Sequence, residues 1–79
     1  MSHHPKLYIK QGCPWCQEAI EWLDQHHIKY NLIEVRNDPA AFDKLVEISG
    51  QTKTPTLQMS DGRILADFGV EELSAFLGL

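Results

Sequence analysis

Two cysteines, Cys13 and Cys16, are the residues whose type and spacing point most directly to chemistry. Pro14 and Trp15 separate them, and a Cys-x-x-Cys segment that opens a helix after a strand is typical of redox proteins. The free N–H groups and the positive dipole end of a helix N-terminus favour an anion. We therefore expect the thiol at the N-cap, Cys13, to have its pKa lowered from about 8.5 into the range of roughly 3.5–7.5.

The two thiols are predicted to divide one reaction between them. Cys13 attacks a substrate disulfide, and Cys16, almost one turn later on the buried side of the helix, resolves the mixed disulfide. Lys10 adds positive charge just ahead of the pair, and Trp15 points toward solvent as an apolar wall for a docking thiol or peptide. A structural disulfide is a poorer explanation, because so short a loop removes little entropy from the unfolded chain.

Two other uses of the cysteines stay open at this point. One is a Cys2His2 zinc site completed by His3 and His4 or by His26 and His27, although these adjacent histidines lack the usual spaced pattern and a buried Cys16 suits a closed site poorly. The other is a purely structural pair of packed cysteines. We interpret His3 and His4 as a terminal tail or cloning remnant, and His26 and His27 as surface residues at a helix end.

The rest of the sequence predicts the elements that position the pair. Apolar alternation predicts strands, apolar residues every three to four positions predict helices, and Gly, Pro and Asp-Gly segments mark turns. The predicted order is β-α-β-α-β-β-α, with strands at 6–10, 29–35, 56–59 and 63–66, a hairpin at 60–62, and helices from Pro14, from Pro39 or Ala40, and from Val70. Because the first strand–helix–strand unit favours a right-handed parallel crossover, we predict an α/β fold: a mixed four-stranded sheet flanked by three helices, in one domain spanning 1–79.

Each helix is expected to bury one apolar face. Asn37 or Asp38 caps the second helix, and Gly50 ends it. The buried faces are predicted to be Cys16, Ala19, Ile20 and Leu23 in the first helix, Phe42, Leu45, Val46 and Ser49 in the second, and Val70, Leu73, Phe76 and Leu77 in the third.

Composition excludes several classes of function. The chain has 79 residues and a net charge of −4, and its seven basic residues form no cluster, so nucleic acid is not an expected partner. No apolar run approaches the ~20 residues of a membrane span, and the N-terminus lacks the apolar region of a signal peptide. We therefore expect a protein of a reducing, cytoplasmic compartment.

Three segments resemble the glutaredoxin family. Residues 8–16 (Tyr-Ile-Lys-Gln-Gly-Cys-Pro-Trp-Cys) look like its active-site segment, and residues 49–55 (Ser-Gly-Gln-Thr-Lys-Thr-Pro) look like its Gly-Gln/Arg-x-x-Val-Pro loop. Residues 68–73 (Phe-Gly-Val-Glu-Glu-Leu) look like its Gly-Gly-x-Asp-Asp-Leu helix start. The resemblance implies a thioredoxin-like fold with Pro55 in the cis form, a form that usually marks a functional turn, facing the cysteine pair.

The resemblance also implies a glutathione-dependent oxidoreductase that reduces protein disulfides or glutathione mixed disulfides. Lys10 and Gln51 are implied to hold the glycine carboxylate, and the Thr54 backbone to pair with the cysteinyl part. The start of the last helix is implied to hold the γ-glutamyl end. The full implied glutathione site is Lys10, Trp15, Gln51, Thr54, Pro55, Gly69, Val70 and Glu71. From the residues alone, Lys10 and Gln51 also suit solvated surface, and Val70 and Glu71 suit an ordinary helix start.

Departures from the family pattern keep an alternative open. Thr54 stands where Val is usual, and Phe68-Gly69 replaces a double Gly, so Phe68 is expected to crowd the γ-glutamyl pocket. The Phe68-Gly69 turn is also similar to that of redoxins that donate electrons to ribonucleotide reductase and are recharged by thioredoxin reductase. Some glutaredoxins bridge an iron–sulfur cluster between subunits, but the stiff Pro14 goes with redox activity in the family. No metal is therefore expected, and the resemblance implies a monomer, which is the norm of the family.

Overall fold

A four-stranded sheet with three helices forms the fold in the computed structural model, which describes residues 4–79. The elements are β1 (Lys6–Ile9), α1 (Pro14–Gln25), β2 (Asn31–Glu34), α2 (Pro39–Ser49), β3 (Thr56–Gln58), β4 (Ile64–Ala66) and α3 (Val70–Leu77). The predicted fold class and element order are confirmed, and each strand is shorter than predicted by one to three residues. His3 lies outside the described residues.

The sheet has the order β2-β1-β3-β4 and is mixed, as predicted. β1 runs parallel to β2, with Leu7 opposite Leu32, and antiparallel to β3, with Leu7 opposite Leu57. β3 and β4 form an antiparallel hairpin, in which the Gly62 N–H donates to the Met59 carbonyl at 3.0 Å. β1 is a central strand, and the cysteines follow its carboxyl end. They therefore lie between the loop after β2 and the loop before β3.

Alternation along β1 separates two apolar layers. Leu7 and Ile9 face one side of the sheet, and Tyr8 faces the other, because successive strand side chains point to opposite faces. The first layer packs the sheet against α1 and α3 and contains Leu7, Ile9, Cys16, Ala19, Leu23, Leu57, Phe68 and Leu73. The second packs it against α2 and contains Tyr8, Val35 and Leu45, with Ile33, Ala41, Phe42 and Ile48 against them. The sequence motif's second cysteine is therefore part of the main core.

Local signals set the ends of α2. Asp38 is its N-cap, and the Asp38 carboxylate accepts a hydrogen bond from the Ala41 N–H at 3.2 Å. Pro39 follows in the first turn, where its missing N–H costs nothing. Gly50 ends the helix with a φ of 69°, in the left-handed region that favours glycine. These boundaries confirm the predicted cap and stop.

One predicted helix face is wrong in detail. Ile48, rather than Val46, joins Leu45 and Phe42 against the second layer. At 3.6 residues per turn, Val46 is rotated by about 100° from Leu45 and Ile48 by only about 60°. Ala41, one turn before Leu45, also packs against this layer. Among residues 4–79, no helix is long and apolar enough to cross a membrane.

Truncation of α2's buried residue tests this orientation. Leu45 is 0% exposed, so Leu45→Ala should lower the free energy of unfolding by about 2–5 kcal/mol through lost burial and a cavity. Val46→Ala is the matched control on the adjacent position and should cost about 1 kcal/mol or less. Urea denaturation followed by circular dichroism measures both. Equal losses for the two variants would contradict the helix rotation described here.

Candidate active site

A tight turn delivers Cys13 to the start of α1. The Cys13 N–H donates to the Lys10 carbonyl at 3.2 Å, and Gly12, inside the turn, has a φ of 86° that glycine adopts without steric cost. Cys13 is the N-cap of α1, as predicted, and its Sγ accepts a hydrogen bond from the Cys16 N–H at 3.3 Å. The thiol sulfur thus takes the position in which a serine or aspartate oxygen usually satisfies a helix N-terminus.

The pKa of Cys13 is lowered from its ordinary value. Burial of the half-buried side chain opposes ionisation, but hydrogen bonds outweigh it: they come from the Cys16 thiol and N–H, from the Thr54 hydroxyl and from the Trp15 N–H. All of these groups stabilise the thiolate, because a hydrogen bond to the charged form favours that form. This environment suits a nucleophilic thiol, and the catalytic role of Cys13 stays a prediction.

Cys16 has the opposite electrostatic environment. It is 1% exposed and its pKa is raised, first because burial disfavours the charged form and then because of the thiol and the charge of Cys13. Both cysteines are free thiols in this structure. The pKa of the half-buried Cys13 thiol is thus lowered, whereas the pKa of the buried Cys16 thiol beside it is raised. This asymmetry is what the predicted division of labour requires.

The loop before β3 faces the Cys13 thiol. The Thr54–Pro55 peptide bond is cis, as the resemblance implied. The Thr54 carbonyl and the Thr54 hydroxyl each lie 4.0 Å from the Cys13 sulfur. Thr54, which stands where valine is usual, therefore brings a hydroxyl donor to the nucleophile in addition to its backbone.

Gln51 braces this loop from inside. Its amide nitrogen donates to the Lys53 carbonyl at 3.1 Å and to the Thr56 hydroxyl at 3.2 Å, and its amide oxygen accepts from the Lys53 N–H at 2.6 Å. The amide is thus hydrogen-bonded within the segment that carries Pro55. The implied contact of Gln51 with a ligand carboxylate stays a prediction, and the structure gives this side chain a role in shaping the loop.

Lys10 lines a cationic cavity that the sequence analysis only half identified. The Lys10 ammonium donates to the Thr52 carbonyl at 2.9 Å and lies 6.0 Å from the centre of the Phe42 ring. It borders a cavity of about 420 Å³ together with Val35, Arg36, Pro39 and Phe42. Arg36 was missed, although its position just after β2 was a usable signal, because the carboxyl ends of parallel strands meet at one edge of a sheet.

Trp15 and the start of α3 enclose a second cavity. The Trp15 ring is 59% exposed and crosses Gly69 so closely that a Cβ at position 69 would lie 2.7 Å from the ring. The cavity has a volume of about 350 Å³ and is lined by Trp15, Glu18, Gly69, Val70, Glu71 and Glu72. The structure therefore brings together Trp15, Gly69, Val70 and Glu71, four members of the implied glutathione site.

The expectation that Phe68 crowds this cavity is wrong. Phe68 is 2% exposed and packs into the main core, because the turn before α3 directs its side chain inward. Glu72 is the residue that occupies the helix start instead, since its carboxylate accepts a hydrogen bond from the Gly69 N–H at 3.2 Å. With Glu18 and Glu71 nearby, this second cavity carries carboxylates where the family resemblance implied an anion-binding helix end.

The histidines and cysteines do not converge on a metal centre in the part of the chain described here. Between residues 4 and 79, no group of three or more His, Cys, Asp and Glu side chains could hold a metal ion. His26 stacks on Trp22 with ring centres 3.8 Å apart, and His27 is exposed, as expected for residues at a helix end. The absence of a metal from the working protein stays a prediction.

The site and the topology together define a dithiol protein of the thioredoxin-like fold. The chain belongs to the glutaredoxin family, whose family model matches residues 6–70. Among solved structures, the thioredoxin-like protein BC3987 superposes with a TM-score of 0.81 at 30% identity, over 90% of this chain and 96% of that one. Glutaredoxin 2 from Salmonella typhimurium, in complex with glutathione, has a TM-score of 0.75 at 28% identity over 96% of this chain and 33% of its own.

Two curated relatives are also similar in sequence. The glutaredoxin-like protein NrdH of Lactococcus lactis is 29% identical over 55 residues, 70% of this chain and 75% of the relative. Global transcriptional regulator Spx 1 of Bacillus cereus is 32% identical over 50 residues, 63% of this chain but only 38% of the regulator. The match to Spx 1 thus spans well under half of that protein.

The Thr54 hydroxyl gives a direct test of the thiolate environment. Thr54→Val keeps the shape of the side chain and removes one donor to the Cys13 sulfur, so the pKa of Cys13 should rise. Below that pKa less thiolate is present, and alkylation of Cys13 by iodoacetamide should slow about two- to tenfold. Rates measured against pH, with the modified residue identified by mass spectrometry, give the result. Thr52→Val, on the same loop, is the control, and an equal shift there would contradict the assignment.

Proposed function

We propose that the protein is a thiol–disulfide oxidoreductase that reduces protein disulfides or glutathione mixed disulfides. Cys13 acts as the nucleophile and Cys16 as the resolving thiol. The observation that carries the proposal is the opposed environment of two adjacent thiols: the helix start and Thr54 lower the pKa of Cys13, and burial raises the pKa of Cys16. Membership of the glutaredoxin family supports the same activity.

The reaction follows from the accessibility of the two sulfurs. The Cys13 thiolate attacks one sulfur of the substrate disulfide, a mixed disulfide forms, and the first substrate thiolate leaves and takes a proton from solvent. Cys16 then loses its proton and attacks the Cys13 sulfur, which releases the second substrate thiolate. The substrate gains two electrons, and the protein is left with a Cys13–Cys16 disulfide. Two thiol equivalents, such as two glutathione molecules, are needed to restore the dithiol.

Glutathione is the recharging thiol that we propose, and the cationic cavity supports it. Lys10 and Arg36 place two positive charges around a space of about 420 Å³ close to the loop that faces Cys13. Such a cavity suits the glycine carboxylate of the tripeptide, because guanidinium and ammonium groups form strong charge-assisted hydrogen bonds with carboxylates. The related Salmonella typhimurium glutaredoxin 2 is described in complex with glutathione.

A second candidate is an electron-donor redoxin for ribonucleotide reductase, recharged by thioredoxin reductase. The start of α3 favours it, because Glu72 already caps the Gly69 N–H and Glu18 and Glu71 line the same cavity. Carboxylates at this position repel the α-carboxylate of a γ-glutamyl group. The similarity to the glutaredoxin-like protein NrdH points in the same direction. For either candidate we propose a monomer in the cytoplasm, since the reaction requires thiols kept reduced.

Serine variants of the two cysteines test the assigned roles. Cys13→Ser should abolish exchange with a glutathione mixed disulfide, because the accessible nucleophile is lost. Cys16→Ser should still form a mixed disulfide at Cys13 but should accumulate it with protein disulfide substrates, because no resolving thiol remains. Mass spectrometry after mixing with oxidised glutathione, and in parallel with a protein disulfide substrate, measures both. Full exchange activity in Cys13→Ser would reject the proposed mechanism.

Recharging distinguishes the two candidates. The oxidised protein is offered either glutathione or thioredoxin reductase with NADPH, and we expect glutathione to reduce it. Arg36→Gln should slow that reduction about threefold, as expected for one exposed charge, whereas Lys44→Gln, on the exposed side of α2, should not. Reduction by thioredoxin reductase and not by glutathione would select the redoxin candidate instead.

A further inference from the structure

Glu34 joins the cysteine loop to the neighbouring strand. It is the last residue of β2, and β1 places Ile9 opposite it in the parallel ladder. One oxygen of the Glu34 carboxylate accepts a hydrogen bond from the Gln11 N–H at 2.7 Å, and the other accepts from the Asn37 N–H at 2.9 Å. A single side chain therefore bridges the loop after β1 and the loop after β2.

The hydrogen bond to Gln11 holds the turn that positions the nucleophile. Lys10 and Cys13 close this turn, since the Cys13 N–H donates to the Lys10 carbonyl at 3.2 Å. Gln11 and Gly12 are its central residues, and Gly12 has a φ of 86°, the pattern of a type II turn. Glu34 holds the first central N–H, which points away from the turn, and so fixes the segment immediately before Cys13.

The Cys13 sulfur depends on this fixed position because its stabilising groups come from two different elements. One is the Cys16 N–H of α1 at 3.3 Å, and the other is the Thr54 hydroxyl, on the loop before β3, at 4.0 Å. A sulfur atom that moves with a loosened turn cannot keep both contacts.

The same hydrogen bonds favour the ionised form of Glu34. Hydrogen bonds from the Asn37 and Gln11 N–H groups, and the nearby Arg36 guanidinium, lower the pKa of the Glu34 carboxyl despite some desolvation. The acceptor is therefore ionised throughout the neutral range, where thiol–disulfide exchange takes place.

We propose that Glu34 is a positioning residue for Cys13, which fixes the Lys10–Cys13 turn so that the thiolate meets the α1 N-terminus and Thr54 together. This role serves the proposed function and in that sense rests on it. The effect of Glu34 on the ionisation of Cys13 can nevertheless be measured without any disulfide substrate. Glu34 does not touch the reacting sulfurs, and it acts through the backbone of Gln11.

The direction in which the pKa of Cys13 shifts in a Glu34→Gln variant distinguishes a positioning role from a direct effect of the charge. Glu34→Gln removes a negative charge, which alone would lower the pKa of Cys13 or leave it unchanged. Loss of positioning raises that pKa, because a glutamine oxygen can accept only one of the two hydrogen bonds while its NH2 group faces the other N–H. We expect the pKa of Cys13 to rise and its alkylation near neutral pH to slow about two- to tenfold. Glu47→Gln, which makes the same charge change on exposed α2, should leave both unchanged.

A second variant removes the donor and leaves the Glu34 charge in place. Gln11→Pro deletes the N–H that Glu34 binds, together with the exposed Gln11 side chain, and proline is favoured at the first central position of a type II turn. It should reproduce the effect of Glu34→Gln, and the double variant should be no slower than either single variant, because both remove one shared contact. This variant carries the test if Glu34→Gln fails to fold.

The wild-type protein and the four variants are compared by iodoacetamide rates against pH, with the alkylated cysteine identified by mass spectrometry, and by thermal unfolding. A raised pKa of Cys13 in both single variants, with no further effect in the double variant, supports the role. A pKa that is unchanged or lowered, additive effects, or a loss confined to thermal stability overturns it. Disulfide exchange by the wild-type protein is measured separately, so failure of the proposed function would be seen independently.

Discussion

The active site depends on one interaction, the hydrogen bond from the first turn of α1 to the sulfur of its N-cap residue, Cys13. A helix start must find acceptors for N–H groups that have no partner within the helix. Here the Cys13 sulfur is the acceptor, and the same hydrogen bond lowers the pKa of the thiol, so one atom satisfies the helix end and becomes easier to ionise. Pro14 then begins the helix without an N–H of its own, which leaves the remaining donors for the sulfur.

The rest of the fold brings other loops to that sulfur. β1 lies at the centre of the sheet, and the loops that follow β1 and β2 meet at one edge because these two strands are parallel. The loop before β3 reaches the same place, where Thr54 contacts Cys13. Burial of Cys16 in the main core anchors the other side of the pair. The site is thus assembled from segments far apart in the chain, and the sheet register sets their spacing.

Features that depend on near neighbours in the sequence could be predicted, including the N-cap role of Cys13 and the start and end of α2. Features that depend on how elements pack could not. The carboxylate of Glu34 resembles any polar side chain at the end of a strand until the register places Gln11 beside it. Arg36 lines a cavity with Lys10 only because the parallel pairing of β1 and β2 brings the ends of these strands together. The family resemblance implied that Phe68 lies at the γ-glutamyl pocket, whereas the turn before α3 directs its side chain into the main core.

Packing also determines which face of α2 is buried against the sheet. Val46 and Ile48 are both apolar, and the sequence pattern alone does not distinguish which one lies against Leu45. The contact with Tyr8 and Val35 across the sheet does so. The residues of the implied glutathione site likewise could not be grouped from the sequence alone. In the structure Trp15 lies against Gly69, and the Gln51 amide is hydrogen-bonded within its own loop.

The two cavities are lined by side chains of opposite charge, which affects how charged molecules approach the protein. Lys10 and Arg36 line one cavity, and Glu18, Glu71 and Glu72 line the other, so the two cavities together form an electric dipole although the whole chain has a net charge of −4. A dipolar surface turns an incoming charged molecule before contact and so favours one orientation of encounter. Because this guidance acts through water, it weakens once ionic strength reduces the screening length to about 10 Å or less.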